Sequence, residues 1–237
     1  DDAPPTVVTQ NVTVVLDGSG NASTTAAAVN NGSNDNCAID TLALDTTDFT
    51  CADVGNNTVT LTVTDVNGNS ASATATVTVQ DNTPPTVVTQ NLTLTLDGSG
   101  NASTTAAAVD DGSSDNCGIA SLSLDTTDFT CADLGNNTVT LTVEDVNGNT
   151  ATATATVTVQ DTLSPTVLAQ DVTVTLDGFG NGSTTAAAVD NGSSDNCGID
   201  SLTLSQTDFT CADVGANTVT LTAADATGNT ATATATV

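Results

Sequence analysis

The chain has 237 residues, of which 28 are acidic, and it contains no lysine, arginine or histidine, so its formal net charge at pH 7 is -28. Without a positive side chain it cannot neutralise phosphate, which excludes nucleic acid and anionic membrane surfaces as partners. Tyrosine is also absent. No ordinary general base near neutral pH remains, and catalysis is therefore not expected.

The sequence is one motif written three times at an offset of 80 residues. Asp35-Asn36-Cys37 returns at 115–117 and 195–197, and Asp48-Phe49-Thr50-Cys51 returns at 128–131 and 208–211. We expect three domains that span residues 1–80, 81–160 and 161–237, joined by short proline-marked linkers. The third repeat lacks the final Thr-Val-Gln and stops inside a strand, so the chain reads as a segment of a longer repetitive protein.

Taken in chain order, each repeat reads as a series of short strands. In the first repeat, residues 11–16 predict a strand, 17–21 a glycine-rich turn and 22–29 a weak returning strand. A third strand carries Leu42 and Leu44, and Val59, Leu61 and Val63 alternate with threonines in the next one. Asn67-Gly68 predicts a type I′ hairpin before a closing strand over 71–79.

No stretch shows helical periodicity, and none is apolar for long enough to span a membrane. Short strands at this spacing predict an all-β fold of three tandem immunoglobulin-like antiparallel β-sandwiches, arranged as a rod.

The six cysteines fall as two per repeat, and neither histidine partners nor closely spaced cysteine pairs are present for a zinc site. One disulfide inside each repeat is the simplest account, and each would contribute about 3 kcal/mol by closing its loop. Such bonds place the protein outside the reducing cytosol. The predicted pairs are Cys37–Cys51, Cys117–Cys131 and Cys197–Cys211.

Several spaced motifs resemble the HYR (hyalin repeat) family. They are Asp-Asn-Cys-Gly-Ile at 115–119, Gly-x-x-x-Val at 135–139, Asp-x-x-Gly-Asn at 145–149 and the closing Val-Thr-Val-x-Asp-x-x-x-Pro at 157–165. The chain is particularly similar to tandem HYR-like modules in secreted surface proteins and adhesins of Bacteroidetes-type bacteria. The resemblance implies an immunoglobulin-like fold and a non-catalytic role in adhesion or surface architecture. Where that family often has a cysteine in its last strand, this chain has Thr74, Thr154 and Thr234.

Oxygen-bearing side chains alternate in Asp65-x-Asn67-x-Asn69 and its counterparts, which is typical either of a calcium loop or of a plain hairpin. In an immunoglobulin-like fold, the linker and first turn of one repeat lie near two loops of the next. Gathered carboxylates would repel one another, so Ca²⁺ is a reasonable occupant of the junctions and the one candidate cofactor; the alternative is that these residues are solvated turn formers. The candidate ligands are Asp17, Asp81, Asp115, Asp145 and Asn147 at the first junction, and Asp97, Asp161, Asp195 and Asp225 at the second.

Glycan attachment is a further expectation, set against an ordinary Asn- and Thr-rich surface. N-glycosylation sequons lie at Asn11, Asn21, Asn31, Asn56, Asn91, Asn101, Asn136, Asn181 and Asn191. An Asp-Thr/Ser motif that resembles bacterial O-glycosylation sites lies at Thr41, Thr46, Thr126, Thr162 and Ser201.

Three functions remain open. Near-identical repeats favour a structural stalk or shaft of an extracellular filament or long bacterial cell-surface protein that assembles with itself end to end or laterally. A calcium-dependent adhesin that binds a glycan or protein ligand is the alternative, for which Phe179, in place of Ser19 and Ser99, is the one hint. A carboxylate-based hydrolase is the third.

Overall fold

The computed structural model describes residues 2–237, and its regular structure is almost entirely β-strand. The first repeat contains β1 (Val12–Val15), β2 (Asn21–Ser23), α1 (Ala26–Val29), β3 (Ile39–Leu44), β4 (Asp48–Thr50), a 3₁₀ turn (Cys51–Asp53), β5 (Gly55–Asp65) and β6 (Ser70–Gln80). The prediction of an all-β fold is confirmed.

The other two repeats follow the same order. The second contains β7 (Leu92–Thr95), β8 (Asn101–Ser103), α2 (Ala106–Val109), β9 (Ile119–Leu124), β10 (Asp128–Thr130), a 3₁₀ turn (Cys131–Asp133), β11 (Gly135–Asp145) and β12 (Thr150–Gln160). The third contains β13 (Asn181–Ser183), α3 (Ala186–Val189), β14 (Ile199–Leu204), β15 (Asp208–Thr210), a 3₁₀ turn (Cys211–Asp213), β16 (Thr218–Asp225) and β17 (Thr230–Thr236).

In the first repeat a four-stranded sheet of order β1-β6-β5-β3 lies beside a two-stranded sheet of β2 and β4. Strands β5 and β6 form a long antiparallel hairpin, and β3 pairs antiparallel with β5. Strand β1 pairs with β6 in parallel, with Val12 opposite Val77. Because β1 lies parallel to the closing strand, the sheet is mixed rather than purely antiparallel.

The apolar residues that alternate with threonine along the strands form the core. Val59, Leu61 and Val63 of β5 are fully buried, as the alternation predicts, and Phe49 of β4 packs into the same cluster. The intervening threonines face outward, where β-branched side chains favour the strand without requiring burial. Much of the rest of this small core is valine and alanine, so constraints at its ends contribute more than in a larger domain.

Two local expectations were wrong. The weak strand expected over 22–29 ends at Ser23, because Thr25 caps a short helix of three alanines and Val29 and accepts a hydrogen bond from the Ala28 N–H at 3.2 Å. The predicted two-residue hairpin at Asn67-Gly68 is a four-residue loop between Asp65 and Ser70, in which the Asp65 side chain accepts hydrogen bonds from the N–H groups of Asn67 and Asn69. Only Gly68 in this loop has a positive φ, of 91°.

The third repeat has no counterpart of β1. In the first repeat, β1 is held by Val77–Gln80, and of the equivalent positions only Val237 is present in the sequence. A groove of about 580 Å³ lies beside Val237 and is lined by Val172, Val174, Leu176 and Val214 among others. This groove lies at the position where, in the first repeat, β1 meets its partner strand, and Asp171 and Asp213 line it as well.

The chain divides into two compact units. The first comprises residues 1–89, 110–123 and 141–153, and the second comprises 90–109, 124–140 and 154–237. Each unit therefore contains a terminal repeat together with part of the middle one. The three 80-residue domains and the rod stay predictions.

None of the helices within residues 2–237 is both long enough and apolar enough to cross a lipid bilayer.

Asp45 and Asp125 occupy equivalent positions in the first two repeats, and their hydrogen bonds make the stability of the fold depend on pH. The backbone N–H of Thr60 donates to Asp45 at 2.8 Å and that of Thr140 to Asp125 at 2.8 Å, which lowers the pKa of both carboxyls. In the third repeat Ser205 accepts the equivalent bond at 2.9 Å. Because the folded-state pKa is lowered, this stabilisation is present above the ordinary aspartate pKa of about 3.9 and is lost as the pH falls through the folded-state value.

We therefore expect the double variant Asp45→Ser/Asp125→Ser to lose less unfolding free energy than the parent between pH 5 and pH 2, as measured by urea denaturation. Asp40→Ser/Asp200→Ser, at two exposed strand positions, is the charge-matched control and leaves more of the pH slope in place. An equal slope in the double variant and the parent would contradict the assignment.

Candidate junction site

Two disulfides join successive repeats. Cys51 bonds to Cys117 and Cys131 bonds to Cys197, each with a Cα–Cα distance of 5.3 Å. Cys37 and Cys211 are free and exposed. We call the contacts around Cys51–Cys117 the first junction and those around Cys131–Cys197 the second junction.

The three predicted pairs within repeats, Cys37–Cys51, Cys117–Cys131 and Cys197–Cys211, are therefore wrong. The reason is the length of β5. Cys37 lies just before β3, whose first residue pairs with Asp65 at the end of β5, whereas Cys51 lies just before the start of β5. Eleven residues of strand separate the two ends by roughly 30 Å, far beyond the reach of a disulfide.

A glycine in the first turn allows the disulfide to approach the chain. Gly20 is buried with φ of 76°, and a Cβ built on it would lie 2.7 Å from Cys51 Sγ and 3.1 Å from the Asn116 carbonyl oxygen. Gly100 is in the same situation, at 2.6 Å from Cys131 Sγ and 2.9 Å from the Asn196 carbonyl oxygen. Any other residue here would have both a strained backbone and a steric clash.

Asn116 ties three parts of the first junction together. Its side-chain N–H donates to the Asp17 backbone carbonyl at 3.1 Å and to Asp81 Oδ1 at 3.3 Å. Its own carbonyl oxygen lies 3.4 Å from Cys51 Sγ. Asn149 adds a bond from its side chain to the Asp81 carbonyl at 3.2 Å, so the linker residue is held by two loops of the next repeat.

Three carboxylates meet at this point. Asp81, Asp115 and Asp145 each present an oxygen, and these oxygens all lie within 4.8 Å of one another. Asp81 and Asp145 are 6% and 1% exposed, respectively. At an effective dielectric constant of about 20, each ionised pair at this separation repels by about 3 kcal/mol. A cation bound among these oxygens would offset that repulsion.

Four buried oxygen atoms of the first junction have no hydrogen-bond partner among the described residues. They are Asp81 Oδ2, Asp115 Oδ1, Asn116 Oδ1 and Asn147 Oδ1. A buried acceptor without a partner costs about 1–3 kcal/mol, so four at one place need an explanation. Oxygens of carboxylate and amide groups are the ligands that Ca²⁺ takes in proteins.

The second junction repeats this arrangement with one change. Asp161, Asp195 and Asp225 come together in the same way, and Asp161 Oδ2 and Asn196 Oδ1 are buried without a partner. Thr227 replaces Asn147, and its hydroxyl donates to Asp225 Oδ1 at 2.9 Å. The second junction thus offers fewer uncommitted oxygens than the first.

The hairpin carboxylates are held in the ionised form. Burial raises the pKa of Asp145, but hydrogen bonds from the Asn149 side chain and from the N–H groups of Asn149 and Asn147 outweigh it and hold the pKa below its ordinary value. The pKa of Asp225 is lowered in the same way, by Asn229 and Thr227 against the effect of burial.

Two predicted ligands lie outside the carboxylate clusters. The Asp17 side chain caps its own turn by accepting from the N–H groups of Ser19 and Asn21, and only its backbone carbonyl contacts the junction. Asp97 does the same in the second repeat. Sequence reasoning missed Asn116, Asn149 and their counterparts Asn196 and Asn229, because asparagine in a loop usually indicates only a turn.

All the predicted glycosylation acceptors are exposed. Some of the asparagines also have a structural contact, since Asn11 Oδ1 accepts from the Thr76 N–H at 2.9 Å and Asn91 Oδ1 from the Thr156 N–H at 2.7 Å. Exposure is compatible with modification but does not test it, so glycosylation stays a prediction.

No protein-family model matches the chain, and no curated protein does. Among solved structures it is similar to mouse cadherin-23 EC22-24, with 12% identity, 100% of this chain and 98% of that chain covered, and a TM-score of 0.41. Titin domains I67-I69 give 11% identity, 98% and 97% coverage and a TM-score of 0.35. The extracellular cadherin domains 1-4 of protocadherin gamma B7 give 11% identity, 99% and 75% coverage and a TM-score of 0.37.

The close approach at Gly20 gives a first prediction for the junction. Gly20→Ala places a Cβ against Cys51 Sγ and an L-residue at a positive φ, so we expect a loss of about 1–3 kcal/mol in unfolding free energy. Thermal denaturation and a count of free thiols in the native protein would measure it. Gly18→Ala, in the same turn with nothing within 4 Å, is the control. Equal melting temperatures for the two variants would contradict the proposed clash.

The cysteines give a second prediction. The Cys51–Cys117 bond spans 66 residues, so the chain-entropy model assigns it about 4 kcal/mol. Cys117→Ser should lower the stability by an amount of that order in urea denaturation, whereas Cys37→Ser should leave it unchanged because Cys37 has no partner in the isolated chain. If the pairing were within repeats, both variants would be destabilised alike.

Proposed function

We propose that this chain is a structural, non-catalytic segment of an extracellular repeat protein, serving as the stalk or shaft of a filament or long cell-surface protein. The observation that carries the proposal is the repeated junction, in which a disulfide and a carboxylate cluster tie the end of one repeat to the loops of the next. The bonded cysteines and the buried aspartates link successive repeats and do not line a pocket. This favours a structural role in which the repeats form one continuous, mechanically connected segment.

Each junction binds a Ca²⁺ ion in this proposal. The ion at the first junction would be held by Asp81, Asp115, Asp145 and Asn147, and it would satisfy buried oxygens that otherwise have no partner. Opposite ligands of Ca²⁺ lie about 4.6–5.2 Å apart, because each Ca–O distance is about 2.3–2.6 Å. The 4.8 Å limit on the cluster is compatible with that spacing.

Calcium fits better than magnesium on chemical grounds. Mg²⁺ usually keeps several of its waters and demands a near-ideal octahedron, whereas Ca²⁺ accepts six to eight oxygens in flexible geometry, including amide carbonyls. Two of the four buried partnerless oxygens at the first junction belong to asparagine side chains. A larger cation with mixed carboxylate and amide ligands therefore fits the donor set.

The disulfides support an extracellular location, since structural disulfides persist where the environment is oxidising. A bacterial cell surface and self-assembly into a fibre belong to the same proposal. The net charge of -28 favours solubility and makes divalent cations the natural counterions of neighbouring copies.

A calcium-dependent adhesin is the second candidate, and one observation favours it. Phe179 is 92% exposed at the tip of the first turn of the third repeat, where the other two repeats have Ser19 and Ser99. A single exposed aromatic ring on one repeat is the kind of specialisation that ligand binding, to a glycan or a protein, would require. Loss of binding to a glycan- or protein-coated surface in the variant Phe179→Ser, with an unchanged melting temperature, would favour this role over that of a shaft.

Calcium titration tests the proposal directly. We expect CaCl₂ to raise the melting temperature and EDTA to reverse the shift, with two binding events per chain in calorimetry. MgCl₂ at the same ionic strength should give a smaller shift. Because Thr227 uses its hydroxyl within the second junction, that site should bind more weakly, and Thr227→Asn should strengthen it.

The variant Asp115→Asn should change the stability in opposite directions in EDTA and in calcium. In EDTA it removes repulsion and should raise the stability, whereas in calcium it removes a ligand and should weaken the first site by about tenfold, or 1.4 kcal/mol. Asp111→Asn is the matched control, because it makes the same charge change four residues away and Asn31 and Asn191 occupy that position in the other repeats. A melting temperature that does not respond to calcium or EDTA would overturn the metal proposal.

A further inference from the structure

Three consecutive residues take part in both the disulfide and the carboxylate cluster of the first junction. Asp115 contributes an oxygen to the cluster, and Cys117 is bonded to Cys51. Between them, Asn116 donates from its side chain to Asp81 Oδ1 at 3.3 Å. The Cys117 N–H also donates to Asp115 Oδ2 at 2.8 Å, so the residue that forms the disulfide and the carboxylate that would bind the ion are directly hydrogen-bonded.

The disulfide and the cluster hold this loop against the same preceding repeat. The disulfide fixes it at the first turn, where the Asn116 carbonyl oxygen lies 3.4 Å from Cys51 Sγ and would lie 3.1 Å from a Cβ built on Gly20. The cluster fixes it at the linker, through the oxygens of Asp81 and Asp115. Two attachments of one loop raise each other's effective concentration, because closing either one brings the groups of the other within reach.

Without an ion, the two attachments oppose each other. The carboxylates of Asp81 and Asp115 repel, and the bond between Cys51 and Cys117 holds them together against that repulsion. A bound Ca²⁺ makes the contact between the carboxylates attractive, so that the cluster and the disulfide then favour the same closed loop. The ion therefore stabilises the oxidised form of the junction relative to the reduced form.

We propose that the disulfide and the calcium site of the first junction regulate each other. Bound Ca²⁺ makes the Cys51–Cys117 bond harder to reduce, and reduction of that bond lowers the affinity of the site for Ca²⁺. The proposal rests on the calcium site of the proposed function and adds its regulation by redox state. Because both effects belong to one thermodynamic cycle, they have the same size. Opening of the junction is most favoured where calcium is scarce and a reductant is present.

A dithiol such as dithiothreitol supplies the electrons. One of its thiolates attacks a sulfur of the Cys51–Cys117 bond and forms a mixed disulfide, and the other cysteine leaves as a thiolate that takes up a proton. The second thiolate of the reagent then attacks the reagent's own sulfur in the mixed disulfide, which releases the remaining cysteine and closes a cyclic reagent disulfide. Two electrons and two protons pass from the dithiol to the protein. Both cysteines are half-buried, so a closed loop also limits the approach of the reagent.

The second junction provides a comparison within the same molecule. It has the same connections, since Asn196 donates to Asp161 Oδ1 at 3.2 Å and the Cys197 N–H donates to Asp195 Oδ2 at 2.9 Å. The Thr227 hydroxyl is already engaged within that cluster, so the site is expected to bind Ca²⁺ more weakly. The disulfide of the second junction should therefore need a higher calcium concentration for the same protection.

A redox titration of the intact chain tests the proposal. The exposed thiols of Cys37 and Cys211 are first blocked with iodoacetamide, and the protein is equilibrated with mixtures of reduced and oxidised dithiothreitol in CaCl₂ or in EDTA. New thiols are trapped with N-ethylmaleimide and assigned in peptic peptides, because a chain without lysine or arginine has no trypsin site. We expect calcium to raise the ratio of reduced to oxidised reagent at half-reduction of Cys51–Cys117 by about tenfold, which corresponds to about 30 mV. MgCl₂ at the same ionic strength should have a smaller effect.

The variant Asp115→Asn separates this coupling from a general stabilisation of the chain. It should raise the calcium concentration that protects the disulfide of the first junction by about tenfold, and leave that of the second junction unchanged in the same molecule. Asp111→Asn is the matched control and should shift neither. If calcium protected both disulfides only through the stability of the whole chain, Asp115→Asn would shift both together, and that result would overturn the proposal.

Calorimetry measures the reverse effect and separates the two proposals. In Cys51→Ser/Cys117→Ser the first site should bind Ca²⁺ about tenfold more weakly than in the oxidised parent, with the second site unchanged. The redox titration needs no cysteine variant and gives the same coupling if this one does not fold. Calcium binding with an identical reduction equilibrium in CaCl₂ and in EDTA would overturn the coupling and leave the calcium site in place. No calcium binding by the oxidised parent would remove the calcium site, and the coupling with it.

Discussion

The disulfide between successive repeats is the constraint on which the other junction contacts depend. It fixes the loop of Asp115 to Cys117 against the first turn of the preceding repeat, and it brings Asn116 within reach of Asp17 and Asp81. Only then does the linker carboxylate meet the carboxylates of the next repeat. A covalent bond is well suited to this task, because it holds together like charges that would otherwise separate.

The composition makes such a bond necessary. A chain with no basic side chain has no internal salt bridges, and each repeat builds its core chiefly from valine, leucine and alanine with a single buried phenylalanine. A core of that size leaves a narrow margin of stability. The strands are consequently supported by side-chain hydrogen bonds from aspartate and asparagine to the backbone, as at Asp45 and Asp65. The same two residue types, aspartate and asparagine, provide the candidate ligands at the junctions.

Within the repeat, the sequence predicted well wherever a local pattern decides the structure. The alternation of Val59, Leu61 and Val63 with threonine identified the central strand and its buried face. Prediction failed at the short helix after Ser23, where three alanines between a capping threonine and Val29 gave too short a segment to show a period. It also failed at the hairpin, where the Asp65 side chain, rather than the Asn-Gly pair, decides the turn.

The sequence by itself determined that the chain is repetitive, all-β, cross-linked by cysteine and rich in acids at the ends of its strands. It could not determine which cysteine bonds to which, because Cys37 and Cys117 occupy the same place in an 80-residue repeat and differ only in which copy they belong to. A repeating sequence contains no signal that separates a contact within one copy from a contact with the next. The tertiary structure decided the question, since the length of β5 separates Cys37 from Cys51 and the approach of the next loop brings Cys117 to 5.3 Å, Cα to Cα, from Cys51.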